Sequence, residues 1–325
     1  MTTATTALPS STLRLVLSAF ALVVMFCSNM PAQPLPPDND SASLASKVSD
    51  SGNSSASERA SSTTDPEPVP EPSSDWVHGW LRRVDQTRAK QPHYASPLIT
   101  THVLLVQQFR YDIYAQEGSA ESWTYNFGAG KGVEIIPNAR MEVQVSVPPY
   151  IAHRSSGLPD GFGDVSMFIK FRAFSATEGR GDYFVGLFLG ASFPSGTPPN
   201  GLGHATWSPM VAAAKGWGHF DIQSTLSGNL PQSGTAVLGR SIAFNNTFQY
   251  NVKTRIWPEV EVNSTFFVDG PRSGNSEAFL TPGVIFGRFH LGGRLYFIAG
   301  TGLQVAVTTF HEFTHRGIAT LRFPF

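Results

Sequence analysis

Apolar and polar residues alternate along most of the chain after residue 98. Alternation at every second position is typical of a β-strand with one apolar and one polar face. We read twelve such segments, each bounded by residues typical of turns. They cover about 100–114, 123–136, 141–148, 164–174, 183–192, 206–215, 219–228, 237–250, 255–268, 278–287, 294–307 and the C-terminal stretch. The pattern therefore predicts an all-β protein.

The C-terminal segment indicates the kind of all-β protein. Ala319, Leu321, Phe323 and Phe325 occupy every second position up to the end of the chain. A soluble protein seldom ends on an exposed aromatic strand, because an open edge invites aggregation. A transmembrane barrel pairs its last strand with its first and places aromatic residues at the membrane interface. We predict that Leu321, Phe323 and Phe325 form the signal for the barrel-assembly machinery. The alternative is an edge strand of a soluble sandwich.

The connections between segments support the barrel independently. Counted from the periplasm, short connections alternate with longer ones that are rich in Gly, Pro and Ser. The short connections include 137–140, 216–218, 251–254 and 288–293, and the long ones include 149–163 and 194–205. Short turns on one side and long loops on the other are typical of outer-membrane barrels. The sequence thus predicts a transmembrane antiparallel up-and-down β-barrel of about twelve strands, over residues 98–325, with both termini in the periplasm.

The composition fits a barrel better than an ordinary soluble domain. Charged residues make up 14% of the chain, against roughly 25% in typical soluble domains. The chain contains 24 Phe and 30 Gly, yet its mean hydropathy is -0.09 and its only long apolar run is N-terminal. A formal net charge of -1 gives no indication of a nucleic-acid partner. The single cysteine, Cys27, lies in that N-terminal run, so we expect no disulfide in the mature chain.

The N-terminal region divides into an export signal and an arm. Residues 1–32 have one charge, Arg14, before an apolar run, as signal peptides do. Residues 33–97 are predicted to form a Ser/Pro-rich periplasmic arm that is disordered over 33–74. The arm either reaches a cell-wall or periplasmic partner or is a plain tether. Residues 75–90 could form a short helix that lies on the inner leaflet, plugs the lower mouth, or merely precedes the first strand.

Strand parity divides the side chains into lipid-facing and lumen-facing sets. In the first segment, Val103, Leu105, Phe109, Tyr111 and Ile113 are predicted to face lipid. The polar residues predicted to line the lumen are Arg110, Asp112, Glu142, Gln144, Lys170, Arg172, Glu259, Glu261, Gln304 and Arg322. Their mixed signs leave two interpretations: a lumen held together by salt bridges, or a pore lining that orients a solute. Inward glycines, including Gly186, Gly190, Gly300 and Gly302, would leave room in the lumen or relieve wall curvature.

Two patterns in the sequence resemble catalytic motifs, and neither predicts an enzyme. His311, Glu312 and His315 match the H-E-x-x-H pattern of zinc proteases. That pattern needs a helix and a third ligand, and here it falls in a loop between strands, so we interpret it as a chance match and expect no metal. A barrel hydrolase would need a histidine beside a serine. His219 and His290 are candidates, but no spacing selects a serine.

Several motifs resemble a known family. The stretch from Pro97 to Thr101 leading into Gln108–Asp112, the Gly161–Arg172 segment with its Gly-x-Gly-Asp start, and Thr281–Val284 are similar to outer-membrane transporters of the MetA-pathway of phenol degradation family. The resemblance covers roughly residues 95–325 and omits the N-terminal arm. It implies an outer-membrane barrel that passes small, often aromatic or hydrophobic molecules, without catalytic residues.

We therefore expect a channel or transporter in the outer membrane of a Gram-negative-type bacterium, with the arm in the periplasm. Its expected partners are outer-membrane lipid, the barrel-assembly machinery and a small-molecule solute, and it needs no cofactor. The alternatives are a barrel enzyme that acts on lipids and a structural barrel that tethers the envelope.

Overall fold

The computed structural model describes residues 72–118, 122–154 and 157–325. The predicted export signal and the arm up to residue 71 lie outside these ranges. Two α-helices are present in the described part of the chain, α1 (Pro72–Arg88) and the single turn α2 (Thr235–Leu238), with a 3₁₀ turn at Glu178–Arg180. Neither α-helix is long and apolar enough to cross a membrane.

Fifteen strand segments make one antiparallel sheet. They are β1 (Gln108–Glu117), β2 (Trp123–Gly128), β3 (Gly132–Asn138), β4 (Met141–Ser146), β5 (Tyr150–Arg154), β6 (Gly161–Phe162), β7 (Val165–Ala176), β8 (Tyr183–Phe193), β9 (Thr206–Trp217), β10 (Phe220–Pro231), β11 (Ser241–Tyr250), β12 (Ile256–Phe267), β13 (Ser276–Gly292), β14 (Leu295–Ala306) and β15 (His315–Pro324).

The sheet closes on itself because β15 pairs with β1. The register runs from Gln108 opposite Pro324 to Glu117 opposite His315. β2 and β3 both pair with β1 and form one interrupted wall strand. β4 and β5 likewise form one interrupted wall strand, and β6 and β7 form another, with the interruptions side by side. Fifteen segments therefore make twelve wall strands, and the predicted closed twelve-stranded transmembrane barrel is confirmed.

The break between β2 and β3 is a turn rich in glycine. Gly128, Ala129 and Gly130 all have positive φ angles, of 103°, 47° and 68°, a region that glycine enters without steric cost. The turn brings the ammonium of Lys131 within electrostatic range of Asp112 and Glu134, which face inward. The extra residues thus turn Lys131 away from the lipid side.

The outer face of the wall is apolar. On β8, Leu187 and Leu189 point outward and are 55% and 42% exposed, while Phe184 and Phe188 lie on the other face of the strand and are buried inside. Large exposed apolar side chains continue around the wall, for example Val145 on β4. Such a band is what a transmembrane barrel presents to the hydrocarbon core.

The first strand starts later than predicted. The alternation was read from about residue 100, but β1 begins at Gln108. The predicted lipid-facing positions Val103 and Leu105 are wrong: both are completely buried inside the barrel. The physical reason lies in the four consecutive apolar residues from Val103 to Val106, which cannot belong to a strand with only one apolar face.

Candidate functional site

The lumen is occupied by residues 91–107, which we call the plug segment. It crosses from one wall of the barrel to the other. Leu98 packs with Trp257 and Ile285 at the β12–β13 wall, whereas Val103 and Leu104 pack against the β8–β9 wall. An irregular segment can be buried only if its backbone groups find partners. Charged side chains of the wall supply many of these partners.

Two wall carboxylates bind backbone N–H groups of the plug segment. Leu98 N–H donates to Glu259 Oε1 at 3.0 Å. Ile99 and Thr100 donate to the two oxygens of Glu261, at 2.8 and 2.6 Å. Both glutamates are fully or almost fully buried on β12. Leaving a buried donor or acceptor unpaired costs about 1–3 kcal/mol, so this pair fixes one face of the turn at residues 98–100.

Two arginines bind carbonyl groups on the other face of that turn. Arg110 Nη2 donates to Leu98 O at 2.8 Å, and Arg322 Nη2 donates to Pro97 O at 2.7 Å. Arg322 also donates to the carbonyl of Ser96. Asp112 pairs with Arg110, its Oδ2 lying 2.8 Å from Nη2. The arginines of the wall therefore bind carbonyl oxygens of the turn and the glutamates bind its N–H groups, because arginine can only donate and carboxylate can only accept.

A second charged cluster holds the end of the plug segment. Lys170 Nζ lies 2.7 Å from Glu142 Oε1 and 3.7 Å from Glu134 Oε2. Glu142 in turn accepts the N–H of Val106 at 2.5 Å. Glu134 was missed by the sequence analysis, although its place in the second strand gives it inward parity with Gln108, whose side chain donates to it at 3.1 Å.

The ten residues predicted to face the lumen all lie on the inner face of the wall. Nine are buried and Gln144 is half-buried. Besides those above, Arg172 donates to the carbonyl oxygens of Thr87 and Ala139 at 2.9 and 2.6 Å. The buried charges bind one another and the plug segment, as a lumen held by internal pairs requires. Their role in lining a path for solute stays a prediction.

An apolar cluster lies inside the wall at β8 and β9. Phe184 and Phe188 on β8 and Met210 on β9 form one buried cluster with Val103 and Leu104 of the plug segment. The space beside the inward glycines is also occupied. A Cβ on Gly302 would stand 2.6 Å from Leu98 Cδ1, and one on Gly190 would stand 2.8 Å from the Phe168 ring. The room that the glycines leave is therefore taken up by plug and wall side chains.

Helix α1 covers the mouth of the barrel at which β1 begins and β15 ends. Trp80 Nε1 donates to Ile136 O at 2.8 Å, and Val84 is completely buried against Leu105 and Ile136. Asp85 forms two hydrogen bonds with Arg294, at 2.6 and 2.8 Å. The helix thus lies across the lower mouth, and neither lies on the inner leaflet nor merely precedes the first strand.

The outer mouth is narrowed by residues 307–314. Phe313 is buried and stacks on Phe279 with ring centroids 4.4 Å apart. The guanidinium of Arg316 lies 3.9 Å from the Phe313 ring centroid and 5.0 Å from that of Tyr114, within cation–π range. Residues from the loop and from β13, β15 and β1 therefore pack together across this end of the lumen.

The zinc-protease motif in that loop is not built as a metal site. His311 Nδ1 lies 2.8 Å from Thr308 O, and His315 Nδ1 lies 3.0 Å from Glu117 Oε2. Glu312 instead approaches Arg272, at 3.9 Å. Across the described ranges, no group of three His, Cys, Asp or Glu residues could hold a metal ion.

The hydrolase candidates do not assemble into a triad. His219 lies beside the Tyr250 ring, and His290 Nε2 lies 3.0 Å from Gly293 O. A serine–histidine contact does occur elsewhere: His204 Nδ1 is 2.9 Å from Ser233 Oγ in exposed outer loops. No Asn or carboxylate of the described chain hydrogen-bonds to the His204 ring to orient it.

Comparison with known proteins gives a distant likeness of structure. No family model and no curated protein matches the sequence. The NanC porin is 7% identical over 66% of this chain and 98% of its own, with a TM-score of 0.44. The COG4313 outer membrane channel from Pseudomonas putida F1 is 10% identical over 68% of this chain and 95% of its own, with a TM-score of 0.46. OmpF of Salmonella typhi, in complex with daunomycin, is 8% identical over 67% of this chain and 96% of its own, with a TM-score of 0.30.

Proposed function

We propose that this protein is an outer-membrane channel for small molecules whose lumen is regulated by the plug segment. The observation that carries the proposal is the seat of residues 96–100 between Glu259, Glu261, Arg110 and Arg322. Hydrogen bonds between wall side chains and backbone groups of residues 96–100 hold this seat, and we infer that these residues can leave it while the wall stays closed. An apolar outer band and a wall closed by β1 and β15 support the membrane location.

The solute class that the lumen fits is small and hydrophobic or aromatic. Phe184, Phe188 and Met210 offer an apolar surface along one side. The charged side chains on the other side are engaged with the plug segment, which leaves few of them free to bind a permeant ion. The resemblance to phenol-pathway transporters points to the same class. Export through residues 1–32 and a periplasmic arm are part of this proposal.

The test is single-channel conductance of the full exported chain in a planar bilayer, after a heat-dependent gel shift has confirmed folding. We expect rare, small conductance steps for the wild type. The double substitution Glu259→Gln and Glu261→Gln should raise the open fraction, because each glutamine offers one acceptor oxygen where the glutamate uses two. Glu312→Gln, an exposed acid of the outer loop, is the matched control and should behave as wild type.

Solute preference is measured in proteoliposomes that carry lipopolysaccharide in their outer leaflet. We expect faster entry of an uncharged aromatic solute than of a sugar of similar size. A folded barrel with no steps in either variant, and no solute entry above that of protein-free liposomes, would contradict the channel.

A further inference from the structure

Three arginines converge where α1 meets the hairpin between β13 and β14. Arg88 is in the last turn of α1, Arg288 lies near the periplasmic end of β13, and Arg294 is in the hairpin turn. Arg88 lies within electrostatic range of both Arg288 and Arg294. We call these three residues the arginine cluster. Its acidic neighbours are Asp85, which pairs with Arg294, and Glu178, which lies within electrostatic range of Arg288. Three cations therefore face two carboxylates, and the cluster carries one excess positive charge.

Two of the three arginines have protein partners, and the third has none. Arg294 pairs with Asp85 at 2.6 Å, and Arg288 Nη2 donates to His93 O at 2.6 Å. Arg88 is half-buried, yet it makes no hydrogen bond and no ion pair with any described residue. Burial and the nearby Arg294 lower the pKa of Arg88. An anion beside Arg88 would relieve both effects.

Arginines at the outer mouth, by contrast, are paired with acidic side chains. There Arg154, Arg240 and Arg272 each lie within 4.0 Å of an acidic partner, namely Asp160, Asp269 and Glu312. A guanidinium that is half-buried, unpaired and beside two others of the same charge is thus a feature of the periplasmic end.

The surroundings of the cluster are apolar and exposed. Leu291, Leu295 and Phe289 on the same hairpin are 57%, 39% and 39% exposed, and Tyr296 is 37% exposed. Tyr296 also lies within electrostatic range of Arg88 and Arg294. Aromatic and leucine side chains next to arginines mark the level at which hydrocarbon gives way to headgroups. A phosphate held here would therefore be attached to a lipid.

We propose that the arginine cluster is a binding site for the phosphate group of an anionic phospholipid of the inner leaflet, with Arg88 as its principal ligand. Arginine suits this task because its planar fork donates two parallel hydrogen bonds to phosphate oxygens. The bound lipid would adjoin both α1 and residue 93 of the plug segment, since Arg288 already holds His93 O. The proposal does not depend on what the channel conducts.

The experiment is native mass spectrometry of the full exported chain in an uncharged detergent. Equal amounts of phosphatidylglycerol and phosphatidylethanolamine are added, and lipid retained by the barrel is counted. We expect retention of phosphatidylglycerol in the wild type and about fivefold less in Arg88→Gln. Arg88→Lys keeps the charge and should retain more lipid than Arg88→Gln. Arg180→Gln removes an exposed cation of the 3₁₀ turn and is the matched control, expected to equal wild type.

A second arm separates lipid from free phosphate. Inorganic phosphate is titrated into the lipid-free protein, and its displacement of phosphatidylglycerol is measured. Weak displacement supports a lipid site, whereas tight binding of inorganic phosphate alone would overturn the lipid assignment. Equal retention by wild type and Arg88→Gln, each shown to be folded by its heat-dependent gel shift, would overturn the site. A loss in Arg180→Gln as large as in Arg88→Gln would do the same, because binding would then follow overall charge.

Discussion

The guanidinium of Arg322, on the last strand of the wall, donates a 2.7 Å hydrogen bond to the carbonyl oxygen of Pro97 in the plug segment. The residues are 225 positions apart in the chain. The strand that closes the barrel thus also holds the segment that fills it. Formation of the wall and seating of the plug segment are linked through this contact.

Replacing Arg322 by methionine tests that link. The substitution leaves the carbonyl oxygens of Ser96 and Pro97 without their donor inside the barrel. Leaving a buried hydrogen-bond acceptor without its partner costs about 1–3 kcal/mol. We expect a lower temperature for the gel-shift transition and a higher open fraction in bilayer recordings. Arg322→Lys, which keeps a donor, should lie between the two. An unchanged open fraction in a folded Arg322→Met barrel would show that the contact does not hold the plug segment.

The glycines of β13 and β14 make a separate test of the plug seat. In Gly302→Ala the new Cβ would meet Leu98 Cδ1 at 2.6 Å and Pro282 O at 3.0 Å. Overpacking of this kind typically costs about 1–3 kcal/mol. We expect faster amide hydrogen exchange at residues 98–100 in this variant.

The double variant Gly302→Ala with Leu98→Ala should recover part of that protection, because the second change removes the clashing methyl groups. Protection that falls further in the double variant than the sum of the two single effects would argue against the packing explanation.

The contact between Asp85 and Arg294 predicts an effect of pH on α1. The Arg294 guanidinium, chiefly through its hydrogen bonds, lowers the pKa of Asp85 from its ordinary value near 3.8. Because the pKa of Asp85 is lower in the folded state, the contact stabilises the folded protein fully at pH values above the unfolded-state pKa. This stabilisation is lost as the pH falls through the folded-state pKa. Because both side chains are substantially exposed, solvent weakens the effect.

We therefore expect α1 to become more accessible to an acid-stable protease only below about pH 4. Cleavage at α1 is compared between wild type and Asp85→Asn at several pH values. The variant should show raised cleavage at neutral pH and little further change in acid. Identical pH profiles for the two proteins would exclude a role for this contact.

The H-E-x-x-H motif predicts a negative result that can be measured. His311 and His315 face different partners, and Glu312 faces Arg272. We expect less than one equivalent of zinc to remain with the folded barrel after dialysis, and His311→Ala to retain the same amount as wild type. Stoichiometric zinc that is lost in both His311→Ala and His315→Ala would reverse this interpretation.

The sequence by itself determined the wall. Alternation between lipid and lumen faces repeats in strand after strand, as in Leu187 and Leu189 outside and Phe184 and Phe188 inside. Period-two patterning is a local property, because each strand must separate the same two environments. The closed twelve-stranded fold and the inward charges could therefore be predicted from sequence.

Only the tertiary structure decided what fills the lumen. Nothing local in residues 91–107 specifies which wall residues they meet, because the partners lie up to 226 positions away. The segment was interpreted partly as arm and partly as first strand, since its apolar residues resemble a lipid-facing run. A buried segment differs from a lipid-facing one in having charged wall side chains next to its backbone groups. The contacts of Glu261 with the N–H groups of Ile99 and Thr100 exist only in the closed barrel, which brings these distant residues together.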